Sequence, residues 1–110
     1  MREAASILDK TFDLITEIKD SAIYKEYHEA LNELNTFPNL KDLADDYRKA
    51  KFEAYHSQKP ISIKLLDELE EKREMLAKYP QIDRFLKAEI ILGRVLQEVQ
   101  SRITAAMELE

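Results

Sequence analysis

The heptad-spaced seam in the last thirty residues constrains this chain more than any other feature. From Ile82 onward one column holds Ile82, Glu89, Leu96 and Ile103, and the other holds Phe85, Leu92, Val99 and Ala106. Apolar side chains at that spacing line one face of a single long helix, and a face of that length must be covered by something. Glu89 is the one charge in the two columns. A carboxylate on an apolar seam costs several kcal/mol to bury unless it is paired. The reading favoured is a buried ion pair or hydrogen bond that sets register, as polar residues do at coiled-coil core positions; a proton or metal site and a wet rim position are the alternatives. Ile90 and Ile91 lie outside the seam and make the middle of the helix apolar nearly all round. A small monomer has too few helices to cover such an element, so self-association through Ile82, Phe85, Glu89, Leu92, Leu96, Val99 and Ile103 is expected.

The rest of the chain reads as helix too. One glycine and three prolines in 110 residues leave few breakers, and strands would lack their turns. Apolar periodicity places helices over about 2–18, 22–34, 40–56 and 63–78, before the one that starts at Tyr79-Pro80. Asp20 and Ser21 are capping types and mark a break or kink between the first two. Pro38 stops the second, and Asn39 with Asp42 offers a cap-like start to the third. Ser62 is placed as the cap of the fourth, and Pro80 suits a first helical turn because its missing N–H would have no intrahelical partner there. The expected fold is all-α, a single domain over residues 1–110, built as an antiparallel bundle of about five helices and dimeric. The nine aromatic residues fall mostly on helical apolar faces and are read as packing residues rather than as a partner groove.

Composition removes several chemistries. With no cysteine there is no disulfide, thiolate metal site or cysteine nucleophile, and a single glycine rules out a glycine-rich phosphate loop. The N-terminal MREAASILDK has no apolar signal core and the longest apolar run is Ile90 to Leu92, so a cytoplasmic protein without membrane insertion is expected. The net charge is −5, with eight acidic against four basic side chains in the first 37 residues, which disfavours direct nucleic-acid binding. Arg48, Lys49 and Lys51 make a local basic patch, read first as a solvated helix face beside Asp45, Asp46 and Glu53 and second as a contact for RNA. Glu53 and His56 form one Glu-x-x-His pair. Di-iron carboxylate bundles need two such pairs plus two further glutamates, so no metal, cofactor or catalytic residue is assigned. A metal-dependent enzyme using Glu53, His56 and Glu89 is the weaker alternative.

The order of these features resembles the YlbF/YmcA family of small bacterial helical proteins, with its YheA-like members. The resemblance runs through the amphipathic first helix, Tyr24-Lys25-Glu26-Tyr27, the Phe37-Pro38-Asn39-Leu40 break and the Leu43-Ala44-Asp45-Asp46-Tyr47-Arg48 helix. Its most specific part is the proline-led run from Tyr79 to Glu89. It implies an all-helical, dimeric, non-catalytic adaptor or regulator with a protein partner. Family members act in competence, sporulation and biofilm formation, and are linked to RNA processing through a complex that assists an endoribonuclease. Members that bind iron–sulfur clusters do so through cysteines, and with none here that property is not carried over.

Overall fold

In the computed structural model, which describes residues 1–108, the chain is all-α, and about 85% of it is helical. The five helices among the described residues are α1 (Arg2–Asp20), α2 (Ala22–Asn35), α3 (Pro38–Tyr55), α4 (Ile63–Leu76) and α5 (Pro80–Ala106). The last residues of the expected final helix, Leu109 and Glu110, lie outside the described residues.

Local chemistry explains three of the boundaries. Ser21 has extended backbone (φ −71°, ψ 151°), which breaks the helix where capping residues were expected. Its Oγ accepts from the Tyr24 N–H at 3.2 Å, and its own N–H bonds back to the Ile18 carbonyl at 3.1 Å. One serine thus closes α1 and opens α2. Helix α3 starts two residues earlier than the sequence suggests. Pro38 occupies the first turn, Phe37 stands at the cap position with no side-chain cap bond, and Asn39 is already helical. The reason is that proline both ends the preceding helix and is preorganised for the start of the next. Ser62 caps α4 as expected, its Oγ accepting from the Leu65 N–H at 3.1 Å.

Inter-helix contacts divide the chain into two units, with the divisions falling inside α2 and α5. The unit spanning Ala30–Lys87 holds nearly all of the core. Leu34, Ile82 and Phe85 are its largest fully buried side chains, joined by Ala30, Ala44, Ala54, Leu69, Leu76 and Leu86. The alanines let helix backbones approach, and the larger residues fill the space between them. Helices α3 and α4 pack on each other within this unit. Its periphery is tied by charge: Arg84 donates to Glu33 at 2.6 Å, linking α5 to α2, and Arg73 donates to Asp83 at 2.8 Å, linking α4 to α5.

The other unit comprises Met1–Glu29 and the described residues from Ala88 onward, and it is organised differently. No side chain of α1 is buried, although the helix is strongly amphipathic. Leu8 and Phe12 are 66% and 67% exposed, and Ile7 and Ile15 are exposed too.

Candidate functional site

The seam of α5 does not have one environment. Ile82 and Phe85 are 0% exposed and belong to the core of the Ala30–Lys87 unit. Glu89, Leu92 and Val99 are half-buried, while Leu96 and Ile103 are 47% and 54% exposed. Ile82 and Phe85 are therefore occupied within the chain, and the part of the seam left open begins at Glu89. Glu89 is half-buried and not without partners. Beside it runs Gly93, where an added Cβ would meet nothing within 4 Å. Ile90 and Ile91 are also exposed, so the apolar girdle at mid-helix stays largely uncovered.

Within the same unit, Ile15, Ile18, Lys19 and Tyr24 join Leu92 and Leu96 around an open apolar cleft of about 150 Å³. The α1 residues come from the face that carries Leu8, Thr11 and Phe12, because positions three, four and seven apart lie on one side of a helix. The α1 face and the open seam thus border one cleft. Sequence reasoning identified the α5 seam and the amphipathic character of the first helix, but gave the α1 face no role. The available signal was its breadth, since Ile7, Leu8, Phe12, Leu14, Ile15 and Ile18 all fall within three turns and a half.

The aromatic residues require a correction. Only Phe85 is fully buried; Phe12, Phe37, Phe52, Tyr55 and Tyr79 are exposed. Helical periodicity says which side chains share a face, but it does not say that the chain supplies a cover for it. Phe85 itself carries the Arg48 guanidinium 5.2 Å from its ring centroid, a cation–π arrangement.

That contact also decides the basic patch. Arg48 is half-buried over Phe85 and its Nη1 donates to Asp45 at 3.1 Å. Lys51 is half-buried one turn away, and Lys49 is exposed about 100° around the helix. The three cations do not form one exposed cluster. Asp45 also accepts from Lys41; burial pushes its carboxyl up, but the bonds and charges of Lys41 and Arg48 outweigh that and leave its pKa lowered. Asp83 is lowered as well, by hydrogen bonds first from Lys87 and then from Arg73. The Tyr47 phenol is raised by burial, against the opposing pull of the Arg73 charge.

Glu53 and His56 both stand on the exposed end of α3. The His56 ring stacks on Phe52 at 3.9 Å between centroids, and its Nδ1 lies 2.9 Å from the Phe52 carbonyl. Among the described residues no three His, Asp or Glu side chains converge in a way that could hold a metal ion. No described helix is long and apolar enough to cross a membrane.

The fold and its surface define a small all-helical protein with uncovered apolar faces and no metal-binding cluster among the described residues. It belongs to the YlbF/YmcA family, described as control of the competence regulator ComK, which matches it over residues 7–108. Similar proteins include a UPF0342 protein of Caldicellulosiruptor bescii, 20% identical over 108 residues that span 96% of this chain and 91% of the relative. Another is a UPF0342 protein of Caldicellulosiruptor saccharolyticus, 19% identical over 108 residues, 96% of this chain and 90% of that one. No solved structure gave a significant match.

Proposed function

We propose that this protein is a non-catalytic cytoplasmic adaptor that self-associates through the open part of α5 and binds a protein partner, acting in the control of competence. The observation that carries this reading is the apolar seam beyond Glu89, which keeps Leu96 and Ile103 about half exposed on a helix of 27 residues. Uncovered apolar surface of that kind marks an interaction site. Family membership supports the regulatory role. Roles in RNA processing, sporulation or biofilm formation belong to the same reading. Residues 1–110 serve as one domain in it, because the division between the two units falls inside continuous helices and not at a linker.

Complementation in the native host tests the proposal. A strain lacking the protein should lose transformability and ComK-dependent expression, and wild type should restore both. Leu96→Asp, which places a charge on the open seam, should not restore them although the chain accumulates and stays helical. Full rescue by Leu96→Asp would refute the role assigned to the seam.

A further inference from the structure

We infer that the tip of the α3–α4 hairpin is the surface that receives the protein partner, and that this partner presents a short segment in which acidic side chains flank bulky apolar ones. The inference rests on the partner binding just proposed, gives it a surface and a chemistry, and takes no support from self-association.

Topology places the tip. Helices α3 and α4 pack on each other and are joined by residues 56–62, so the last turn of α3 and the first turn of α4 lie together at one end of the hairpin. Large apolar side chains stand in those two turns without entering the core: Phe52 is 61% exposed and Ile63 79%, and Tyr55 and Leu66 are exposed as well. Phe52 is nevertheless held. The His56 ring stacks on it with 18° between the planes, and Nδ1 of His56 lies within hydrogen-bond distance of the Phe52 carbonyl. An aromatic ring that is fixed in place yet faces water gives up little freedom on binding, which is what a preformed docking point requires.

Charge selects the occupant. Residues 49–66 carry four lysines against one glutamate, in a chain whose net charge is −5. Lys49, Lys59 and Lys64 are exposed, and Lys49, Phe52 and His56 share one face of α3 because positions three, four and seven apart lie together. Further along that face the Asp45 carboxylate is taken up by Lys41 and Arg48. The tip is thus positive, aromatic and aliphatic at once. A single-stranded nucleic acid would stack on Phe52 and Tyr55, but its phosphates repeat beyond the tip, where α4 turns acidic from Asp67 to Glu71, and its bases make no use of Ile63 and Leu66. A polypeptide segment with a few carboxylates beside leucine or an aromatic residue matches both the lysines and the apolar side chains, and stops where the positive charge stops.

Peptide display on the full-length chain tests this, with a library of random peptides as the probe. Selection on wild type at physiological salt should enrich peptides that join Asp or Glu to Leu, Phe, Tyr or Trp. Toward the strongest of them the double variant Lys59→Glu, Lys64→Glu should bind roughly tenfold or more weakly, and Glu53→Lys should bind more tightly, a gain that misfolding does not produce. Circular dichroism and light scattering should match wild type for both variants, since these side chains are exposed and lie outside the α5 seam. Enrichment of peptides without acidic residues, no enrichment at all, or equal binding by the three proteins would overturn the inference. An oligouridylate that binds wild type more tightly than the selected peptides do would overturn it in favour of nucleic acid. In the native host the double variant should fail to restore transformability. Full rescue by the double variant, with Leu96→Asp still inactive, would overturn the tip and leave the role of the seam standing; the reverse pattern would overturn the seam and leave the tip.

Discussion

Replacing Phe85 with alanine separates what holds one chain together from what is left for a second. The ring is 0% exposed, fills the core between α5 and its neighbours, and has the Arg48 guanidinium 5.2 Å from its centroid. Truncating a buried phenylalanine costs about 3–5 kcal/mol, combining the lost transfer free energy with the cavity left behind. Removing the cation–π contact adds roughly 0.5–1 kcal/mol, at the lower end here because the Arg48 side chain is 38% exposed. Domains of this size have a total stability of roughly 5–15 kcal/mol, so a loss near ~4 kcal/mol leaves a marginal fold. With an unfolding entropy of about 2.1 cal/mol/K per residue, that loss lowers Tm by about 15–20 °C. Thermal and urea unfolding followed by circular dichroism measure it. The shift should be the same over a tenfold range of protein concentration, because Phe85 acts within the chain. Leu96→Ala should behave in the opposite way. Its side chain is already 47% exposed, so the loss within one chain should be small and the effect should grow on dilution. A Phe85→Ala drop of less than about 5 °C would refute the reasoning, since it is far below what a buried ring must cost.

Three further outcomes follow from single features. Ser62→Ala removes the side-chain bond to the Leu65 N–H and should cost about 1 kcal/mol, read as a lower urea midpoint with an unchanged slope. Asp83→Asn removes the bonds to Arg73 and Lys87 and should lower stability at neutral pH by on the order of 1 kcal/mol. Because the Asp83 pKa is lowered in the folded chain, its contribution is complete above the unfolded carboxylate value and is lost as pH falls through the lower folded value. Urea midpoints should therefore converge for wild type and Asp83→Asn on acidification below about pH 4, and parallel curves would contradict the assignment. Gly93→Ala should raise the stability of the chain by about 0.8–1 kcal/mol through helix propensity, since nothing stands where the new methyl would go. Unfolding at low protein concentration, where association is weakest, is the measurement, and a decrease there would count against it.

Much of the local structure was legible because it depends on neighbours in sequence. The break at Ser21, the cap at Ser62 and the entry of α5 at Pro80 follow from side-chain oxygens within reach of nearby N–H groups or from proline's missing N–H. The ambiguity at Pro38 had the same source: capping preference favours Asn39 and proline geometry favours position 38, and proline geometry wins. Pairs across the fold were not legible. Nothing local distinguishes Arg84, which reaches Glu33 some 51 residues away, from Lys87, which bonds to Asp83 one turn back on the same helix. The surroundings of the basic residues were only partly legible: the pairing of Arg48 with Asp45 follows from their spacing on one helix, whereas its approach to Phe85 does not. Sequence spacing puts Arg48, Lys49 and Lys51 within four residues, but the guanidinium of Arg48 is taken up by Asp45 and the Phe85 ring.

The seam of α5 shows most sharply where periodicity stops being informative. Its pattern is the same from Ile82 to Ile103, yet Ile82 and Phe85 are sealed in the core while Leu96 and Ile103 face outward. A heptad pattern records that a face is meant to be covered; it carries no label for whether the cover comes from the same chain. The composition does carry one such mark, because Glu89 falls where burial gives way to exposure. A carboxylate is too costly in the sealed part of the seam and is tolerated at half-burial, where water and neighbouring cations can reach it. It also interrupts what would otherwise be an apolar stripe continuous from core to surface. Glu89→Leu should therefore leave the chain folded, the interactions it gives up offsetting what is gained by removing a charge from the seam, while making the open seam less selective. Light scattering should show species larger than the wild-type assembly as protein concentration rises. A variant with the same mass as wild type across the whole concentration range would show that Glu89 has no part in limiting association.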